Sequence, residues 1–467
     1  MLRFLRQHNS RWLALLILLH GLLLIASVDI AAHLRYLRDA ASFNYFASDI
    51  WPRAALFAAA LIAGMAALGL YQTHFRERWS GQMTRQVAGF VLGGILLIII
   101  WYAFPPAYIG RSVFIIALLF GFAGVALLHW AFLRLVDSDA LRRRVLVWGA
   151  ASHAATIPQQ LRRRADRRGF RVVGFVPLAH EDVAVPVTDL LVPATGPLLD
   201  WLRQLRIDEI VVGVDDRRRG PAMDELLACK LGGVEVTELA TFFERESGRV
   251  ELHLVEPSWL VYSDGFHVSP LRRVVKRAFD LVAASAVLLL AWPLMLLVAI
   301  AIRLESGRGQ PILYRQQRVG QGGTPFMLVK FRSMRTDAER DGVARWASQH
   351  DDRVTRVGHI IRKARLDELP QLANILRGDM SLVGPRPERP EFVAGLARQI
   401  RYYELRHCVK PGLAGWAQLR FPYGASAEEA AGKLEYDLWY VKHHGLLLDL
   451  LILLQTVEVV LFGRGAR

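Results

Sequence analysis

Hydrophobic positions fall into three regimes along this chain. Over the first 140 residues they run almost continuously. Four apolar stretches, 12–32, 54–71, 87–104 and 112–133, each approach the roughly 20 residues a helix needs to cross about 30 Å of hydrocarbon. From 145 the pattern breaks into short apolar runs between amphipathic segments. V-L-V-W-G-A-A-S-H-A-A, F-R-V-V-G-F-V, D-E-I-V-V-G-V and G-V-E-V-T-E-L read as strands of a small parallel α/β sheet. After a linker ending at Ser269-Pro270, a fifth apolar segment occupies 278–302 with Pro293 in its middle, where proline removes a helix hydrogen bond and bends the chain. Short strands, turns and helices follow. The closing apolar stretch, 446–462, is interrupted by Asp449 and Glu458 and reads as a helix lying in the bilayer interface.

The elements predict an α-helical membrane protein in three parts. Residues 1–140 form a four-helix transmembrane bundle, and 141–268 a degenerate Rossmann-like α/β domain. Residues 269–467 form a mixed, mainly helical domain carried on a re-entrant membrane helix, 272–304, and ending in the interfacial helix.

Charge sharpens this picture. The 467 residues are 53% hydrophobic, yet the net charge is +15, the pI is near 10.2 and the mean hydropathy is +0.25. Basicity alone would suggest nucleic acid, but there is no basic groove interleaved with aromatics and no zinc spacing, so a nucleic-acid partner is not expected. The cations flank the apolar runs instead. Arg3, Arg6 and Arg11 precede the first, Arg76, Arg78 and Arg85 separate the second from the third, and Arg134 and Arg142 to Arg144 follow the fourth. These segments are cytosolic by the positive-inside rule, although the outer loop also carries Arg35, Arg38 and Arg53, partly balanced by Asp39 and Asp49. Residues 12–32 are too long for a signal-peptide core and lack a small-residue cleavage site. His20 and Asp29 within that stretch mark either function or proximity to an interface.

The fifth segment has Arg272, Arg273, Lys276 and Arg277 before it and Arg303 and Arg308 after it. Positive charge on both sides places both ends in the cytosol and predicts a helix–break–helix that returns to its own side. The alternative is an ordinary kinked span, which would export everything after it. Cys229 and Cys408 alone build neither a disulfide framework nor a metal cluster, in keeping with a reducing cytosol.

Candidate chemistry concentrates in 353–389. Adjacent carboxylates Asp367 and Glu368 follow Arg353, Arg356, Arg362, Lys363 and Arg365, and precede Arg386, set between Pro385 and Pro387. This composition suits a site where phosphate oxygens and a divalent cation are held together. Leu369, Leu372, Ile375 and Leu376 predict a helix over about 368–377 that stops at Gly378, with Asp367 at or beside its N-cap. The helix pattern alone favours Asp367 as a simple cap and Glu368 as a first-turn acid, and the functional reading comes from the surroundings. Upstream, Y-R-Q-Q-R-V-G and K-F-R-S-M-R carry Arg315, Arg318, Lys330 and Arg332. In the α/β domain Gly149 opens a dinucleotide-type loop, but Ala151 and Ala154 stand where two further glycines belong and no ribose-binding acid follows. A structural or regulatory domain without a bound cofactor is expected there.

K-R-A-F-D-L before the Pro-broken apolar segment, Y-R-Q-Q-R-V-G, K-F-R-S-M, R-K-A-R-L-D-E-L-P-Q-L-x-N, M-S-L-V-G-P-R-P and V-K-P-G-L-A-G-W-A-Q occur in that order from Arg272 onward. Together they closely resemble the bacterial sugar transferase family of monotopic phosphoglycosyl transferases, the polyprenyl-phosphate hexose-1-phosphate transferases. The N-terminal regions resemble the long members that initiate exopolysaccharide or O-antigen synthesis, and R-F-P-Y-G-A-S is similar to members associated with exosortase-type clusters. The resemblance implies transfer of sugar-1-phosphate from a nucleotide sugar, usually a UDP-hexose, to undecaprenyl phosphate at the cytosolic face of the bacterial inner membrane. By position, it makes Asp367 the nucleophile of a covalent phosphosugar intermediate and Glu368 a Mg²⁺ ligand. Arg386 becomes a clamp on phosphate oxygens. Lys330, Arg332 and Arg362 bind substrate phosphates or meet lipid headgroups, while Tyr314 and Trp416 are read as packing residues. Two positions depart from the family pattern: Trp292 precedes the breaking proline where serine is usual, and Asp352 stands where proline is frequent. The N-terminal extension is a candidate for homo-oligomeric assembly. The competing readings are a non-catalytic membrane scaffold or ligand sensor built on the α/β domain, and a tethered nucleotide-sugar oxidoreductase or dehydratase.

Overall fold

Unbroken runs of Leu, Ile, Ala and Val become long helices: α1 (His8–Arg35), α2 (Ile50–Ala67), α3 (Trp79–Ala103) and α4 (Arg111–Val136). The computed structural model describes residues 8–37, 43, 49–68, 70–71, 79–136, 142–161, 169–178, 181–193, 196–215, 223–263, 265–266, 269–307, 309–337, 352–421 and 426–462. Arg3, Arg6, Arg38, Asp39, Arg76, Arg78, Arg308 and 422–425 of R-F-P-Y-G-A-S lie outside the described residues, as do the side chains of Arg11 and Glu458. The chain divides into two compact units, 1–248 and 249–467.

In the first unit α1 to α4 bury one common cluster that includes Leu24, Val28, Phe57, Leu61, Phe90, Leu97, Ala117 and Val125. Helices α2 and α3 touch through small residues. A Cβ on Gly64 would lie 2.3 Å from the Gly89 carbonyl oxygen, and one on Gly93 2.8 Å from that of Ala60, so only glycine permits this approach. Leu22, Ile98, Leu119 and Leu127 face outward, as on helices whose solvent is hydrocarbon. His20 points inward rather than to an interface: its Nδ1 lies 3.0 Å from Tyr71 Oη and its ring stacks on His129.

The same unit contains a parallel sheet of order β2-β1-β3-β4. It is built from β1 (Arg143–Trp148), α5 (Ser152–Gln160), β2 (Phe170–Val176), α6 (Leu198–Gln204), β3 (Glu209–Val212), α7 (Met223–Leu231), β4 (Glu235–Glu238) and α8 (Leu239–Ser247). Gly149, at φ 120°, makes the turn from β1 towards α5. The amides that would face an anion there are taken by carboxylates of the chain itself. Ala150 N and Leu178 N donate to Glu181 Oε2 at 2.9 and 3.0 Å. Ser152 Oγ and His153 N donate to Asp215 at 2.6 and 3.0 Å.

The second unit begins upstream of the linker, because Val250 N donates to the Glu435 carbonyl at 3.0 Å and Leu252 N to its carboxylate at 3.2 Å. After α9 (Pro257–Tyr262) comes α10 (Pro270–Ser306), which is helical throughout with Pro293 in its interior and Ser269 as N-cap. Five described helices, α1 to α4 and α10, are long and apolar enough to cross a membrane.

Both ends of α10 are anchored on this one unit. Near its start, Arg277 donates to the carbonyls of Ile375 and Leu376 at 2.6 and 2.7 Å, and Asp280 accepts from Ser381 Oγ and Leu382 N. Near its end, Val298 and Ile302 pack on Phe331 and Ile361. Between them Leu289, Leu290, Trp292 and Leu297 are exposed, Leu290 by 81%.

The rest of the unit comprises the antiparallel hairpin β5 (Leu313–Val319) and β6 (Pro325–Phe331), α11 (Arg356–Lys363), α12 (Leu372–Arg377), β7 (Ser381–Val383), α13 (Pro390–Gln399), β8 (Gly412–Ala414), α14 (Trp416–Arg420), α15 (Ala427–His443) and α16 (Leu446–Phe462). Asp449 of α16 is fully buried: Lys276 Nζ and Tyr440 Oη donate to its two oxygens at 2.6 and 2.7 Å.

Candidate active site

The carboxylate pair does not sit where helical spacing predicts. Residues Leu366–Gln371 form a 3₁₀ segment, and the α-helix proper, α12, starts only at Leu372. Asp367 is therefore inside a 3₁₀ turn and not the cap of a 368–377 helix. The physical reason lies in the turn itself: Arg365 takes a left-handed conformation at φ 57°, and Pro370, lacking an N–H, suits a short tight segment better than a helix interior. Leu366, Leu369 and Leu372, three apart, are the signal in the sequence that fits such a turn. The predicted stop holds, since Gly378 closes α12 at φ 99°.

Asn374 fixes this turn against the hairpin. Fully buried on α12, it accepts from Val329 N at 3.0 Å and donates to the Met327 carbonyl at 2.7 Å. One side-chain amide thus acts as a third strand on the edge of β6, beside Lys330. Lys330 in turn lies opposite Tyr314 on β5, its Nζ 5.2 Å from the ring centre.

The two carboxylates are in different electrostatic states. Burial, reinforced by the neighbouring Glu368 charge, raises Asp367 to about 6, although Lys330, Arg386 and Arg362 act in the opposite direction. Glu368 is also penalised by burial, but Arg386 and Arg365 outweigh it and hold its carboxyl below the usual range. Arg386 Nη2 and Arg365 Nη1 both donate to Glu368 Oε1, at 2.9 and 3.3 Å. Among the described residues no hydrogen bond or ion pair engages the Asp367 carboxylate. Burial lowers the Lys330 ammonium to about 8 against the pull of Asp367.

Four of the basic or acidic positions singled out from sequence thus converge on Asp367: Glu368, Lys330, Arg362 and Arg386. Arg332 is placed elsewhere. It is itself buried, the charges acting on it are those of the exposed Glu305 and Arg303 at the end of α10, and it is not among the largest influences on either carboxylate. Tyr314 lies under Lys330, and Trp416 stacks on Trp439 at 4.9 Å, which is packing.

For several residues of this site, even those inside quoted motifs, the sequence gives no local signal of the role they play. Asn374 is one. Arg318, Arg406, Asp437, Glu388 and Lys433 form an ionic network under the Pro385-Arg386-Pro387 turn, buried at Arg406 and Asp437 and partly exposed at the other three. Partners such as Arg406 and Asp437 are too far apart in the chain for any periodicity to pair them.

Two carboxylates, one with uncommitted oxygens, form an all-oxygen donor set that fits a magnesium ion taking one or two protein ligands and completing its shell with phosphate and water. Among the described residues the one group of three potential metal ligands is elsewhere, at Glu251, His253 and Glu435, and there Arg249 pairs with both glutamates. What the site can do chemically is offer a partly desolvated aspartate nucleophile within a ring of fixed cations.

Residues 271–463 match the family model described as bacterial sugar transferase. The chain is 41% identical over 267 residues to a UDP-N-acetylgalactosamine-undecaprenyl-phosphate N-acetylgalactosaminephosphotransferase of Aeromonas hydrophila, covering 57% of this chain and 62% of that protein. It is 45% identical over 198 residues to a UDP-glucose:undecaprenyl-phosphate glucose-1-phosphate transferase of Caulobacter vibrioides, covering 41% of this chain and 73% of the relative. A sugar transferase of Bacillus subtilis, EpsL, is 42% identical over 193 residues, which are 41% of this chain and 90% of that protein.

Proposed function

The chain belongs to the bacterial sugar transferase family, and from that premise we propose that it transfers sugar-1-phosphate from a UDP-hexose to undecaprenyl phosphate, the first step of exopolysaccharide or O-antigen assembly. The observation that carries the proposal is the division of labour between the carboxylates: Glu368 is locked by two arginines while Asp367 is left uncommitted among cations. Two of the three related proteins are named for this transfer with different sugars, N-acetylgalactosamine in one and glucose in the other.

The reaction runs in two displacements. An Asp367 carboxylate oxygen attacks the phosphorus that bears the sugar; the new aspartyl O–P bond forms as the bond to the departing UMP oxygen breaks, and UMP leaves with that electron pair. An oxygen of the polyprenyl phosphate then attacks the same phosphorus, giving a polyprenyl diphosphate sugar and restoring the carboxylate. Arg386, Arg362 and Lys330 stabilise charge on the phosphoryl oxygens. Glu368 would hold a magnesium ion, which would neutralise the diphosphate and ease departure of UMP.

The membrane arrangement follows from the acceptor. Its phosphate lies at headgroup depth, so a catalytic unit facing the cytosol must sit on the inner surface of the bacterial inner membrane. Anchoring of both ends of α10 on one unit, with an exposed apolar middle, supports a helix that dips into the bilayer and returns, and the cations at 272–277 and Arg303 support a cytosolic face for both ends. Helices α1 to α4 supply the transmembrane bundle, which is also the candidate region for self-association.

The test is UMP release by the purified protein in undecaprenyl-phosphate liposomes across UDP-hexoses, with and without Mg²⁺. Sustained release is expected to need both lipid and metal, with no more than one UMP per protein molecule when lipid is withheld, and all release should vanish in Asp367→Ala. Undiminished release by that variant, or failure to trap a phosphosugar on Asp367 when lipid is withheld, sinks the proposal.

A further inference from the structure

A side chain is aimed only as well as its backbone is held, and Arg386 sits in a turn that is hard to hold. Pro385 and Pro387 on either side carry no N–H, so neither can donate to a neighbouring strand. The carbonyls take over. Arg406 Nη2 donates to the carbonyl of Arg386 at 2.9 Å, and Arg318 Nη1 donates to the carbonyl of Pro387 at 3.2 Å. The next residue, Glu388, is held at its carbonyl by Val319 N at 3.0 Å and at its carboxylate by Lys433 at 2.7 Å.

The group gripping Arg386 is itself fixed. Arg406 is only 3% exposed, and it spends its other terminal donors on Asp437 Oδ2 at 2.7 Å and Tyr403 Oη at 2.8 Å. Asp437, 2% exposed, stands on α15, so the turn is referenced to a 17-residue helix. A buried arginine–aspartate pair is a poor source of stability, because apolar residues of similar volume do as well or better. What such a pair supplies is a fixed donor at a fixed place.

We propose that Arg406, backed by Asp437, and Arg318 are positioning residues: they pin the carbonyls at 386 and 387 so that the Arg386 guanidinium meets Glu368 and the donor phosphate in one geometry. None of the three contacts Asp367 by hydrogen bond or ion pair. Their role rests on the reading of Asp367-Glu368 as the reacting centre, and it predicts an effect on turnover rather than on folding.

The experiment compares the full-length protein in liposomes with the volume-matched pair variant Arg406→Met/Asp437→Leu and with Arg318→Gln. The pair variant is expected to melt at or above the wild-type temperature. Its kcat should fall at least tenfold with KM for the UDP-sugar within threefold, the pattern of an interaction made in the transition state. Amide hydrogen exchange of 383–388 should speed up at least tenfold while that of α12 stays unchanged. Arg318→Gln, which removes the grip on Pro387 together with the contacts to Glu388 and Gln316 but leaves Arg406 on the Arg386 carbonyl, should show the same exchange signature and a smaller loss of kcat; it also serves if the pair variant does not fold. Unchanged exchange at 383–388, or kcat within twofold of wild type, overturns the proposal. If the wild type transfers no sugar phosphate, the reading of the site fails, while the exchange data still decide whether these residues hold the turn.

Discussion

At the scale of residues, the two carboxylates behave as opposites although they are adjacent. The 3₁₀ turn contributes to this, since successive side chains there diverge by about 120°, and Glu368 can face Arg365 and Arg386 while Asp367 does not. The consequence is measurable as a pH profile. Asp367 must be ionised to attack, so kcat/KM should rise as pH climbs through about 6, and it should fall again above about 8 as Lys330 loses its proton. Lys330→Gln should remove the alkaline limb and leave the acid one. The same carboxylate has a linked effect on stability. Its pKa is raised on folding from 3.8 to about 6, so the native state binds the proton more tightly than the unfolded chain. Stability is therefore lost as pH rises across that window, by up to about 3 kcal/mol above it. Asp367→Asn should abolish transfer yet melt several degrees higher than wild type at pH 7.5, with the difference closing towards pH 4. A lower melting temperature for Asn at pH 7.5 would contradict the assigned burial.

At the scale of elements, the legible and the illegible separate along a physical line. Apolar runs, the Gly378 stop, the Asp-Glu pair and the cations around it are written in local composition, and these the chain announces. The 3₁₀ start of the helix was masked because leucines three and four apart serve both turns. Asn374 was masked because its partners are backbone atoms 45 and 47 residues away, at Val329 and Met327. Its role predicts a cost: Asn374→Ala leaves the N–H of buried Val329 without its partner and removes the donor to the Met327 carbonyl, which should destabilise the second unit by about 1–3 kcal/mol. Chemical denaturation followed at a tryptophan of this unit checks it. Helix α10 offers a topological test. Single cysteines at Ser269 and Ser306, which bracket the helix, should both label from the cytosolic side and neither from the periplasm in intact cells. Labelling from opposite sides would make α10 a span, a geometry hard to reconcile with Arg277 and Ile302 packing on the same unit.

At the scale of the whole molecule, the transfer chemistry and the N-terminal 248 residues are separable in principle. Every group placed at the site, with its supporting network, lies in the second unit, and the Bacillus subtilis relative is matched over 90% of its length by a region equal to 41% of this chain. The cut must respect the packing, however, not the family boundary. Residues 249–254 are tied to α15 by Val250 N on the Glu435 carbonyl, Leu252 N on its carboxylate, and Arg249 between Glu251 and Glu435. A fragment starting at 271, where the family match begins, discards all of these bonds and exposes the α15 surface they cover. Residues 249–467 in liposomes should therefore turn over within about threefold of the full chain, since no reacting group is lost. The 271–467 fragment should keep the same kcat per folded molecule but unfold at a lower temperature, because the loss falls on stability and not on the site. Loss of activity in 249–467, with the fragment folded and membrane-bound, would mean that the N-terminal unit takes part in catalysis. Equal melting of the two fragments would mean that the contacts of 249–254 contribute nothing net, as exposed ion pairs often do, although Glu251 is 2% exposed and the backbone bonds beside it are not of that kind.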